Sequence, residues 1–122
     1  MRKALAVAAI SLAALTTPTA VPAADAKDGD VRVAGTCTRA TTSKLKLSEE
    51  DGRIEIEFEV DQNRNGVRWN VVLRRNGRVI RRVARVTRGP SGSFSVRALA
   101  GHGRIMATAT RPGETCRASA SL

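Results

Sequence analysis

Arg53-Ile54-Glu55-Ile56-Glu57-Phe58-Glu59-Val60, then Asp61-Gln62-Asn63-Arg64-Asn65-Gly66, then Val67-Arg68-Trp69-Asn70-Val71-Val72-Leu73-Arg74-Arg75, is the stretch that decides the fold. Its first segment alternates apolar and charged residues without a slip, the period of two that buries one face of a β-strand and wets the other. Asn and Gly dominate the middle segment, where they accept the left-handed conformations of a loop. Apolar alternation then resumes through Val67, Trp69, Val71 and Leu73. If Val60 faces Val67 in a hairpin, Phe58 lies opposite Trp69, Ile56 opposite Val71 and Ile54 opposite Leu73, all on one face. The other face then sets Glu59 against Arg68, Glu57 against Asn70 and Glu55 against Val72. The expectation is this hairpin, with Glu59–Arg68 as its clearest ion pair.

Outward from that core, Asn76-Gly77 between Val67–Arg75 and Arg78–Val86 is a strong hairpin signal, because both residues tolerate the positive φ of a tight primed turn. Carrying the register through it places Ile80, Ala84 and Val86 inward and Arg81 and Arg85 outward. It also places Arg82 on the core face, a conflict that a bulge near Val83 or a position at the sheet edge would relieve. Further alternating runs are Val31–Thr38, Lys44–Leu47, Ser93–Leu99, Arg104–Thr110 and Thr115–Ser121, separated by Gly- and Pro-containing turns. Helical periodicity is absent. The pattern predicts an all-β fold: a single-domain β-sandwich, immunoglobulin-like or related, of about seven or eight short antiparallel strands. A small barrel is the other closed solution.

The N-terminus reads as an export signal. Arg2 and Lys3 precede an apolar run, Ala4 to Leu15, too short to cross a bilayer as a helix. Ala24-Asp25-Ala26 offers a cleavage site before Lys27, with Val21-Pro22-Ala23 as a second choice. The expected organisation is a signal peptide over residues 1–26 and a secreted domain over 27–122, without stable membrane insertion. Cys37 and Cys116, the two cysteines of the chain, then read as one disulfide formed in an oxidising compartment and tying the first strand to the last. Trp69 lies too far beyond Cys37 for the usual immunoglobulin cysteine–tryptophan spacing and is expected in the core.

Charge is unevenly placed. The formal net charge is +10, and acids cluster at Glu49, Glu50, Asp51, Glu55, Glu57, Glu59 and Asp61. The next stretch carries Arg68, Arg74, Arg75, Arg78, Arg81, Arg82, Arg85 and Arg88 and no acid. Like charges facing one another, as Arg75–Arg78 and Arg68–Arg85 would, are destabilising. An arginine ribbon kept at that cost points to an anionic polymer: nucleic acid, teichoic acid, acidic polysaccharide or anionic lipid. Arg68, Arg74, Arg75, Arg78, Arg81, Arg85 and Arg88 are the candidate contacts. The bland alternative is a charged surface drawn from an arginine-rich composition. No aromatic platform for bases accompanies the ribbon.

Asp61-Gln62-Asn63-Arg64-Asn65-Gly66 opens like a calcium loop, with oxygen ligands available from Asp61, Asn63 and Asn65. Val72 stands where an EF-hand supplies its bidentate Glu, and Arg64 opposes a cation, so a polar loop without metal is the expectation. Catalysis has little to stand on: His102, the one histidine, sits between glycines, and no nucleophile elbow, zincin motif or phosphate loop occurs.

The signal, the Arg- and Ala-rich composition, and the run Lys44–Arg53 leading into Glu55–Val60 and Asp61–Val67 resemble small uncharacterised secreted proteins of actinobacteria. That resemblance implies export and carries over no activity and no functional residue. Secreted subtilisin inhibitors and apo-chromoprotein-like sandwiches of those bacteria are similar in size, but carry two disulfides. The expected function is therefore a secreted, non-catalytic binding module for anionic polymers, with no cofactor. The alternative is an extracellular protein-interaction or protease-inhibitor module using a loop such as Arg88 to Gly92.

Overall fold

The computed structural model describes residues 29–122, so the expected signal peptide and its cleavage site lie outside the described residues. Nine antiparallel strands form two sheets: β1 (Val31–Ala34), β2 (Thr36–Cys37), β3 (Thr42–Glu50), β4 (Arg53–Asp61), β5 (Arg68–Arg75), β6 (Arg78–Val86), β7 (Ser93–Ala100), β8 (Arg104–Arg111) and β9 (Glu114–Ser121). One sheet has the order β1-β3-β4-β7 and the other β2-β9-β8-β5-β6. Every run expected to be a strand is one. The ninth arises because the first run splits at Gly35, sending β1 into one sheet and β2 into the other. Only glycine fits at the crossover, since a Cβ there would lie 2.2 Å from Ser43 Oγ and 2.7 Å from the Arg117 carbonyl.

The core is what the alternation predicts. Ile54, Ile56, Phe58, Val60, Trp69, Val71 and Leu73 are each at most 1% exposed, joined by Leu45, Leu47, Val96 and Ile105. Their pairing differs from the expected hairpin. β4 is hydrogen-bonded to β3 and β7, with Phe58 opposite Leu45 and Val96. β5 belongs to the other sheet, between β6 and β8. The two apolar faces therefore meet across the sandwich, about 10 Å apart, instead of side by side. Alternation states which face is dry; both arrangements satisfy it. The loop after β4 is long enough to change sheets, and Trp69 on β5 meets Phe94 on β7 across the core at 6.4 Å between ring centroids.

Separating β4 from β5 removes the Glu59–Arg68 pair. Glu59 instead binds Lys44 at 3.2 Å, and Glu57 binds Lys46 at 3.6 Å and Arg97 at 3.2 Å, all within the four-stranded sheet.

The Asn76-Gly77 hairpin forms as expected, with Arg75 opposite Arg78. Beyond it the inside–outside assignment of β6 is reversed. Arg74 pairs with Val79 and Leu73 with Arg81, leaving Ile80 as the extra residue of a bulge. A one-residue slip moves every later side chain to the other face. Arg81, Val83 and Arg85 now stand opposite the buried Leu73, Val71 and Trp69, and so point inward. Arg82, Ala84 and Val86 point outward, and Arg68 faces Val86, not Arg85. Both proposed remedies for Arg82 operate, since β6 is an edge strand and carries the bulge, although at Ile80 instead of near Val83.

Cys37 and Cys116 are directly opposite on β2 and β9 and are joined by a disulfide spanning 79 positions, so the expected link to the last strand is made by the second half of the split first run. Among the described residues, no helix is long and apolar enough to cross a membrane.

Candidate binding face on the five-stranded sheet

Directly opposite residues of an antiparallel pair share a face, so the registers read out the outer surface of the five-stranded sheet. One row runs Arg82, Val72, Thr108, Arg117 and Thr36 across all five strands. The row toward the Asn76-Gly77 turn runs Val79, Arg74, Met106 and Ser119, and the next pairs Arg104 with Ser121. On the other side lie Ala84, Asn70, Thr110 and Thr115, then Val86 with Arg68. The charged positions of this surface are Arg68, Arg74, Arg82, Arg104 and Arg117. Among the described residues it carries no carboxylate.

The outer face of the other sheet is its opposite in character. There Lys44, Lys46 and Arg97 are interleaved with Glu55, Glu57 and Glu59, and ion pairs join most of them. Glu55, Glu57 and Glu59 are thus placed on one side of the molecule and Arg68, Arg74 and Arg82 on the other. Arg82, Arg74 and Arg104 step diagonally across β6, β5 and β8, with backbones roughly 8 Å apart from one to the next. At that separation unscreened guanidiniums repel by about 0.5 kcal/mol in water, a tolerable cost for a folded domain. Arg104 is oriented by its Nε donating to Ser119 Oγ at 3.2 Å, while its backbone N–H donates to Asn76 Oδ1 at 2.9 Å. Arg74, Asn76, Gly77, Arg104 and Met106 enclose a shallow depression of about 300 Å³ between two guanidiniums.

The structure divides the arginines picked out by sequence. Arg68 and Arg74 lie on this face. Arg75 is committed elsewhere: its Nε donates to the carbonyls of Gly101 and His102 at 3.1 and 2.9 Å, and its Nη2 to His102 at 2.7 Å. Arg78 sits opposite it beside the hairpin turn. Arg81 and Arg85 point into the flank of the sandwich, and Arg88 lies in the turn leading to β7, where it bridges Ser93. Arg82, Arg104 and Arg117 were missed. The first was assigned to the core by a register without the bulge. The other two alternate with Ile105, Cys116 and Ala118, which marks them as outward but does not say onto which sheet.

The remaining singled-out groups have local duties. Asp61 Oδ1 accepts the Asn63 N–H at 3.0 Å, and Asn63 has φ 60°, the geometry of a polar turn. The Asn65 amide lies against Gly89 of the next turn. Among the described residues, no three His, Cys, Asp or Glu side chains gather as a metal cluster. His102 contacts Glu49 through Nε2. The turn after β6 is held against the β4–β5 loop: a Cβ on Gly92, at φ 72°, would fall 2.1 Å from the Arg64 nitrogen. Glu114, which sequence reading passed over, is 4% exposed and binds Arg111 Nε at 3.1 Å, while the Arg111 guanidinium lies 5.7 Å from the Trp69 ring centre.

Comparison of the chain with protein families, with curated proteins and with solved structures finds no match.

Proposed function

We propose that the chain is a secreted, non-catalytic binding module whose five-stranded sheet holds an anionic polymer of the cell envelope or its surroundings. One observation carries this reading: Arg68, Arg74, Arg82, Arg104 and Arg117 share a face that carries no carboxylate among the described residues, while ion pairs join most of the charges on the opposite face. Guanidiniums offer two-pronged hydrogen bonds to phosphate, sulfate or carboxylate. The Thr, Ser and Asn side chains between them add neutral donors and acceptors. With no aromatic ring on that face among the described residues, the ligand is held through its anionic groups and not by stacking of bases. Export is supported by the Arg2–Leu15 leader pattern and by the disulfide, which persists in oxidising compartments. The sandwich is related to the immunoglobulin class and not a member of it in this reading: β3 and β4 are adjacent in one sheet, whereas immunoglobulin constant sheets run A-B-E-D and C-F-G.

The test is retention on immobilised heparin, polyphosphate and teichoic acid across a salt series. Counterion release predicts an affinity falling with salt at a logarithmic slope of about −0.7 per phosphate contact on a flexible single chain, so four contacts give about −3. Replacing Arg82 and Arg104 by Glu is expected to flatten that slope, and Arg97→Glu on the opposite face to leave it unchanged. Binding indifferent to salt, or lost equally with Arg97→Glu, rejects the reading.

A further inference from the structure

We propose a second site: the flank between β6 and β7 binds an acidic peptide in extended conformation, added as a strand to the free edge of β6. The strand is a sheet edge, so a row of backbone N–H and C=O groups is open to pairing. Two features bound the usable length. The Ile80 bulge interrupts the edge at one end, and the Arg88–Ser93 backbone bridge closes the flank at the other. The open window is Arg81 to Val86. Beside it, Arg85, Val86 and Arg88 on one side and Ser93, Phe94 and Ser95 on the other enclose about 450 Å³.

Charge identifies the occupant. Arg81 and Arg85 face inward, half-buried, yet neither has a carboxylate partner among the described residues. The Nε of Arg81 is buried without any acceptor, and Arg85 Nη1 donates only to the neighbouring Ala84 carbonyl at 3.2 Å. Partly desolvated guanidiniums without a counter-ion gain charge-assisted hydrogen bonds when a carboxylate arrives. The inward face of the window reads Arg81, Val83, Arg85. A strand paired to it needs the complementary alternation, acidic–x–apolar–x–acidic, because opposite residues share a face. Its two carboxylates would be about 13 Å apart, the span of four extended residues. A second copy of this chain does not fit, since pairing β6 with β6 sets arginine against arginine.

The probe is acetyl-Thr-Glu-Thr-Val-Thr-Glu-Thr-amide, titrated calorimetrically into the oxidised protein. Binding is expected to weaken roughly tenfold for Arg81→Gln or Arg85→Gln, and by a similar factor when both Glu of the peptide become Gln. Arg74→Gln and Arg104→Gln on the outer face are expected to change affinity less than about twofold. Methylating alternate backbone nitrogens of the peptide should abolish binding in one phase and spare it in the other, because only one set of amides points at β6. No binding, equal loss with the outer-face variants, or equal behaviour of the two methylated phases overturns the proposal. If an arginine variant fails to fold, the Gln peptide against the unmodified protein decides the charge requirement alone. Failure here leaves polymer retention on the outer face intact, since the two sites share no arginine.

Discussion

Single side chains show how little room the fold leaves at its crossings. Gly35 is the hinge at which one extended run feeds two sheets, and a methyl group there collides with Ser43 Oγ and the Arg117 carbonyl. Gly35→Ala is expected to cost about 1–3 kcal/mol, the usual penalty for overpacking, read as a lower urea midpoint. Glu114 poses the converse problem, a carboxylate taken out of water. Its stabilisation comes from Arg111, which also covers the Trp69 ring. Arg111→Ala leaves that carboxylate without its partner and is expected to cost about 3 kcal/mol, the lower end for a broken buried pair. Trp69 itself was legible in advance as a core residue, because its neighbours alternate cleanly. Glu114 was not, because a lone Glu in a Pro-Gly turn carries no sign that tertiary packing will cover it.

At the scale of the element, β6 is the instructive case. Its arginines read as a continuous ribbon, yet the bulge at Ile80 sends Arg82 outward and Arg81 and Arg85 inward. A strand at a sheet edge invites pairing with other chains, and inward-pointing charges and bulges are the recognised deterrents. Arg81 and Arg85 repel an apolar or basic strand in this way while leaving the edge open to an acidic one. Replacing both with Leu is expected to raise self-association, seen as concentration-dependent light scattering, while Arg82→Leu on the outer face has a smaller effect. The Arg82 conflict called for a bulge or an edge position, but the bulge's place at Ile80 lay beyond sequence reading, because the Asn76-Gly77 turn admits either continuation. Only packing against Leu73, Val71 and Trp69 selects the one observed.

Across the whole molecule, stability rests on a two-sheet core with few aromatic rings and on one covalent link between β2 and β9. In the chain-entropy picture, closing a loop as long as Cys37 to Cys116 contributes roughly 4–5 kcal/mol. Reduction is therefore expected to lower the urea midpoint sharply, or to unfold the domain at 37 °C, with alkylated protein as the control. Calcium is expected to leave the melting temperature unchanged relative to chelator. Asp61 is the one carboxylate of its loop, already accepts the Asn63 N–H, and shares the loop with Arg64. A calcium-dependent rise would assign Asp61, Asn63 and Asn65 to a metal after all.

Local chemistry was enough to place the strands, name the buried residues of β4 and β5, pair the cysteines and locate the Asn76-Gly77 turn. The pairing follows from the chain having two cysteines; the others depend on nearest neighbours or on a period of two, and a linear sequence displays both. Which strands lie side by side, and therefore which charges share a surface, was decided only in three dimensions. Ile54 to Val60 can bury its apolar side against Val67 to Leu73 either as a hairpin or as the opposite layer of a sandwich. The long β4–β5 loop permits both, and the choice falls to the packing of all nine strands together. That choice moved the glutamates of β4 away from Arg68. Together with the Ile80 bulge it gathered Arg82, Arg104 and Arg117 from distant segments onto one face and left Arg81 and Arg85 facing the open flank without a counter-ion among the described residues.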